Sequence, residues 1–198
     1  MKTTITLLLL ILTTNIKAQL LVDDFTTGTL DRTVFNTGES DAFYQTGNKV
    51  LGKTRHIYGK VTQNPYEQSF QLNIKDGHLV ITAAYDTRGT VYVNYGHDKN
   101  GLSPLNQDLS TYKNLKIEFD GKSTINGIYV SLFTGTSRAV YSSHVQAREA
   151  TFVLTIPLSD IKKIGPTYTL SKIDYIRFQF DSRSKSGCSM AINKIWFD

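Results

Sequence analysis

The feature that most constrains this chain is a two-residue rhythm. In Leu115-Lys116-Ile117-Glu118-Phe119 the apolar residues stand at every second position. The same alternation runs through Ile128/Val130/Leu132, Ile176/Phe178/Phe180 and Val91/Val93/Tyr95. Side chains spaced this way share a face only when the backbone is extended, so these runs read as strands with one buried side. Nothing after residue 18 repeats over any length with the spacing of an amphipathic helix.

Nine short β-rich runs follow one another, at residues 20–25, 69–74, 78–84, 90–95, 115–119, 127–133, 151–156, 175–180 and 190–197, between clusters of Gly, Asn, Asp and Ser. Many short strands with turn residues between them predict an all-β chain: an antiparallel, two-sheet β-sandwich rather than a βαβ fold. Asp76-Gly77 is the residue pair that a two-residue hairpin turn selects, and residues 86–89 supply a second turn. Residues 26–66 hold Gly28, Gly38, Gly47, Gly52 and Gly59, and read as long loops with one or two short strands. Loops of that kind often carry function.

The first residues have the layout of a cleavable secretory leader. Lys2 gives a positive start, residues 5–12 are almost wholly apolar, and Ala18 offers a small residue for cleavage before Gln19. The apolar run is shorter than the roughly 20 residues needed to span a bilayer. The expectation is a signal peptide over residues 1–18 and one domain over 19–198, secreted or periplasmic. With Lys2 and Lys17 gone, the formal charge falls from +5 to +3. The remaining bases are scattered, which speaks against nucleic acid as a partner. Cys188 is the only cysteine, so no internal disulfide can form and packing alone must hold the fold. Each buried Ile, Val, Leu or Phe contributes roughly 1.5–3 kcal/mol toward that end.

Several segments, in this order, resemble the galactose-binding-like jelly rolls of carbohydrate-binding modules and of the complex I intermediate-associated protein family. They are Leu21-Val22-Asp23-Asp24-Phe25, Asp108-Leu109-Ser110-Thr111-Tyr112-Lys113-Asn114-Leu115, Ile156-Pro157-Leu158-Ser159, Leu170-Ser171-Lys172-Ile173 with Ile176-Arg177-Phe178, and Ala191-Ile192-Asn193-Lys194-Ile195. The resemblance spans nearly all of residues 19–198 and implies a jelly-roll sandwich. It also implies a structural calcium where the first and last strands meet, for which Asp23, Asp24 and Asp198 offer the hard oxygen ligands that calcium prefers. Asn193 stands where such jelly rolls usually have an Asp, which removes one charge from that set. Solvated strand ends are the other reading of the three acids.

The catalytic patterns are mostly missing. His56, His78, His97 and His144 have no zinc-ligand spacing, and no Gly-x-Ser-x-Gly elbow is present. A glycosidase needs two carboxylates across a cleft, which sequence spacing cannot pair here. Glu118 beside Lys116 reads as a cross-strand surface partner. No catalytic residue is therefore assigned, and an enzyme is the weaker reading. Alternation instead gathers Tyr92, Asn94, Tyr129, Tyr175, Arg177 and Gln179 on faces turned away from the core, with Phe133 among them and Arg55, His56 and Tyr58 as a separate loop cluster. Aromatic rings supply apolar area for sugar C–H faces, while Arg and amide groups orient hydroxyls. The expected role is a secreted, non-catalytic domain binding a glycan or polysaccharide through those six residues. Two alternatives stand beside it: a protein-interaction or scaffold domain of an exported assembly, and a small jelly-roll polysaccharide lyase or hydrolase. Tyr and Thr also suit any pleated surface, so the same face reads equally as plain sheet exterior.

Overall fold

The computed structural model describes residues 19–198 apart from 35, 122, 125, 126, 147 and 183–185. The expected leader lies outside the described residues. The strands are β1 (Leu20–Asp23), β2 (Leu30–Val34), β3 (Ser40–Thr46), β4 (Thr54–Gln63), β5 (Phe70–Lys75), β6 (His78–Ala83), β7 (Arg88–Tyr95), β8 (His97–Asp98), β9 (Gly101–Leu102), β10 (Asn114–Phe119), β11 (Gly127–Thr134), β12 (Ser137–Ser143), β13 (Phe152–Pro157), β14 (Lys162–Ile164), β15 (Tyr175–Ser182) and β16 (Cys188–Phe197). Helix among the described residues is confined to two single 3₁₀ turns, Leu51–Lys53 and Leu158–Asp160.

Two antiparallel sheets form the body. One runs β13-β10-β16-β6-β5-β2, with β1 also paired to β16; the other runs β14-β12-β11-β15-β7-β4-β3. Strands β8 and β9 make a separate two-stranded ribbon. The chain passes repeatedly from one sheet to the other, β2 to β3, β4 to β5, β6 to β7 and β10 to β11, as a jelly roll does. The alternation read from sequence decides what lies between the sheets. Leu115, Ile117, Phe119, Ile128, Val130, Leu132, Ile176, Phe178 and Phe180 all join one core cluster. The β5–β6 hairpin turns on Asp76 and Gly77, whose φ angles of 54° and 77° are both positive, as a type I′ turn requires.

Residues 26–66 correct the loop expectation, because they supply β2, β3 and the ten-residue β4. The inward row of β4 is Arg55, Ile57, Gly59 and Val61, and an Arg and a Gly in that row hide its rhythm from a hydrophobicity reading. Gly59 lies under the opposite sheet, where an added Cβ would touch Leu72 at 3.4 Å. Strand β12 likewise carries no apolar rhythm, since Ser137 and Ala139 are its buried residues. The turn expected at residues 86–89 closes earlier, by a Thr87 N–H to Ala84 carbonyl bond of 3.1 Å.

Arg55 is fully buried and forms the polar clamp of the core. Its Nη1 donates to both Asp23 oxygens at 2.7 and 2.6 Å, and its Nη2 donates to Gln45 Oε1 at 2.6 Å and the Thr27 carbonyl at 2.7 Å. The Tyr95 hydroxyl and the Phe25 amide complete the Asp23 carboxylate, each at 2.8 Å. A charge placed in the interior is tolerable only with such full pairing. Burial pushes the Asp23 carboxyl up, while Arg55, the Phe25 amide and Tyr95 pull against it. The clamp joins β1 of one sheet to β4 and β7 of the other, and so fixes the two strands whose outward residues begin the site.

Candidate functional site

Alternation puts the neighbours of the clamp on the outer surface. Arg55 points inward, so His56 and Tyr58 point out; Tyr95 points inward, so Asn94 and Tyr92 point out. Register then aligns these residues into rows across the seven-stranded sheet. Tyr58 opposes Tyr92, Tyr92 opposes Gln179 and Gln179 opposes Tyr129. In the next row Tyr44 opposes His56, His56 opposes Asn94, and Asn94 opposes Arg177. Tyr175 opposes Phe133 beyond that. All six residues expected to contact ligand thus share the outer face of three adjacent strands, β7, β15 and β11. Five neighbouring strands from β3 to β11 make a platform about 19 Å wide at the usual strand spacing.

Asn94 organises the centre. It is 2 % exposed, and its Oδ1 accepts from the Tyr175 hydroxyl and from Arg177 Nε, the latter at 3.0 Å. Because Oδ1 receives those donors, the amide can face only one way, with Nδ2 toward His56 Nδ1 at 3.2 Å. The imidazole therefore carries its proton on Nε2. Burial, and then the charges of His97 and Arg177, press His56 down to about 4, which keeps the ring neutral and Nδ1 able to accept. Burial raises the Tyr175 phenol, with Arg177 opposing, so its hydroxyl stays a donor at neutral pH.

Rings enclose this network. The Arg177 guanidinium lies 5.3 Å from the Tyr92 ring centre and 5.5 Å from that of Tyr175, and its Nη2 donates to the Tyr175 oxygen at 3.1 Å. Tyr44 stacks on His56 at 4.4 Å and 12°, and His56 stacks on His97 at 4.8 Å and 24°. Phe133 meets Tyr175 edge-on at 5.1 Å. Two cavities open beside the guanidinium. One of about 180 Å³ is bounded by His56, Tyr58, Tyr92, Asn94 and Arg177. A larger one of about 640 Å³ reaches from Arg177 and Tyr175 to Leu102, Pro104 and Arg138. A surface of fixed rings, an oriented amide and a guanidinium can hold a ligand that offers both apolar faces and polar edges.

Two parts of this strip are not legible in the sequence. The 56–97 histidine stack joins residues far apart in sequence, because β4 and the β8 ribbon meet only in the fold. Tyr44 lies in β3, inside the region read as loop. Arg55, which the sequence groups with His56 and Tyr58, is sent by strand geometry to the opposite side. Gln179 is on the face as expected, but its Nε2 donates to Asp181 Oδ1 at 3.0 Å.

The three acids suggested for calcium are not brought together. Asp23 opposes Ile195, whereas Asp198 lies beyond the Leu20–Phe197 pair, about 10 Å further along the strand. Each carboxylate also faces a cation: Asp23 faces Arg55, Asp24 faces Lys49 at 3.3 Å, and Asp198 faces Lys116. Among the described residues no three His, Cys, Asp or Glu side chains stand close enough to share a metal ion. The donor set does not fit one calcium. Cys188 is buried, and burial raises its thiol.

No protein-family model and no curated protein matches the chain. Distant likenesses exist among solved structures. One is a family 11 carbohydrate-binding module from Clostridium thermocellum in complex with a β-1,3-1,4-mixed-linked tetrasaccharide, at 13% identity and a TM-score of 0.44, covering 90% of this chain and 94% of that one. Another is a family 29 carbohydrate-binding module from Piromyces equi, at 13% identity and a TM-score of 0.36, covering 85% and 89%. At such scores the likeness carries no weight for the fold or the site, both of which stand on the geometry above.

Proposed function

We propose that this chain is an exported, non-catalytic carbohydrate-binding domain whose ligand lies across the outer face of the seven-stranded sheet. The observation that carries the reading is the Asn94 network. One buried amide fixes Tyr175, Arg177 and His56 before any ligand arrives, and pre-set side chains spare the ordering cost that weakens binding. A pyranose needs apolar faces for its C–H groups and in-plane donors and acceptors for its hydroxyls. Tyr58, Tyr92 and Phe133 answer the first need; Arg177 and the tyrosine hydroxyls answer the second.

Glycosidic cleavage by two carboxylates gains no support from the strip: Asp181, in the adjoining row Lys60–Thr90–Asp181, is bonded to Thr90 and Gln179, and Asp174, at the rim of the larger cavity, accepts from the Gly135 amide. Export rests on the leader expected at residues 1–18. The test is a broad glycan array probed with residues 19–198, alongside Tyr92→Ala. The reading expects saturable binding that the variant loses; folded protein that binds no glycan overturns it.

A further inference from the structure

Arg177 differs from the fully buried Arg55. Arg55 is matched by the Asp23 carboxylate, whereas Arg177 makes no ion pair among the described residues. Its partners among the described residues are all neutral: Asn94 Oδ1, the Tyr175 hydroxyl and the faces of two tyrosine rings. Nη1 has no hydrogen bond among the described residues. A half-buried guanidinium flanked only by dipoles keeps its full charge, and such a charge gains most from an incoming anion. The surrounding field has the same sign. The four rows that cross the platform carry Lys60, Arg177, Arg138 and Lys162 outward, against the single carboxylate of Asp181, which is held by Thr90 and Gln179. Asp174 stands at the rim of the larger cavity, where its Oδ2 accepts from the Gly135 amide.

Resting on the carbohydrate reading above, we propose that the ligand is an anionic glycan, bearing carboxylate or sulfate groups, and that Arg177 receives one of those groups between the two cavities it borders. The guanidinium offers a planar fork that matches either anion. Tyr92 and Phe133 pack the sugar ring beside it, and Arg138 lies within reach of a second anionic residue along the larger cavity.

The test uses residues 19–198 and four probes: oligogalacturonate, a sulfated galactan oligosaccharide, cellohexaose and neutral galacto-oligosaccharide, each titrated by calorimetry. The expected result is binding of one or both acidic probes, at least about tenfold tighter than either neutral one. That binding should weaken as salt rises from about 0.05 M to about 0.3 M, as screening requires. Arg177→Gln should abolish the preference, and the exposed Arg138→Gln should reduce it without touching the core. Lys75→Gln, on the other sheet, should leave it unchanged. The two acidic arms separate a uronate from a sulfate ester. Salt-independent binding of the neutral probes overturns the anionic assignment and leaves the carbohydrate reading standing. Folded protein that binds none of the four, and nothing on an array, removes both.

Discussion

Replacing Asn94 in two ways separates its structural work from its role in the site. Asn94→Leu keeps the branched shape with somewhat more bulk, but removes the acceptor shared by the Tyr175 hydroxyl and Arg177 Nε, together with the donor facing His56. Tyr175 is 8 % exposed, so its hydroxyl cannot readily turn to water. A buried donor left unpaired costs about 1–3 kcal/mol. Arg177 is less enclosed and recovers part of its loss from solvent, which gives a net destabilisation of about 2–4 kcal/mol. For a domain of this size that corresponds to a melting-point drop of roughly 5–15 °C. Asn94→Asp keeps an oxygen in the same place and adds a charge against Arg177. The Coulomb gain and the cost of dehydrating a carboxylate nearly cancel, for a change within about 1 kcal/mol. The two variants should therefore part in stability and agree in binding. Leu frees the rings and the guanidinium; Asp satisfies the guanidinium internally. Urea unfolding and calorimetric titration with oligogalacturonate check both halves. A Leu variant within about 0.5 kcal/mol of the parent, or an Asp variant that binds the acidic probe as well as the parent does, contradicts the central role of Asn94.

Three further outcomes are expected. Arg55→Met strands the Asp23 carboxylate in the core and should cost about 3–5 kcal/mol in urea unfolding, and adding Asp23→Asn should return part of it. His56 is held at about 4, below its ordinary 6.5, so the unfolded chain takes up that proton first. Its contribution is intact above pH 6.5 and lost as pH falls toward 4; unfolding midpoints of the parent and His56→Gln measured across this window should converge at the acidic end, and parallel curves contradict the assignment. Calcium and chelator should leave the melting temperature unchanged, since Asp23, Asp24 and Asp198 face separate cations; a rise in calcium alone contradicts that geometry.

The strands that were legible in sequence are those whose inward residues are all apolar, such as Leu115/Ile117/Phe119 and Ile176/Phe178/Phe180. Period two is then visible without knowing any partner. The strands that were missed have inward rows broken by a polar or small residue: Arg55 and Gly59 in β4, Ser137 and Ala139 in β12. Such residues make sense only against what they meet across the sandwich, Asp23 for Arg55 and Leu72 for Gly59. The candidate site divides in the same way. Tyr175, Arg177 and Gln179 share a face by alternation alone, so their grouping needs no fold. The stacking of Tyr44, His56 and His97, and the central place of Asn94, depend on strand order and register. Register also separates the acids named for calcium, because pairing Leu20 with Phe197 sets Asp23 and Asp198 at opposite ends of the same ladder.

Whether sugar lies over the Arg177 rows of the seven-stranded sheet is visible in a crystal structure of residues 19–198 with a bound acidic oligosaccharide. Density is expected across β4, β7 and β15, with a sugar ring against Tyr92 and an anionic group within hydrogen-bond reach of Arg177. A saccharide seated instead on the outer face of β10 and β16, with the Asn94 network uncovered, would contradict it.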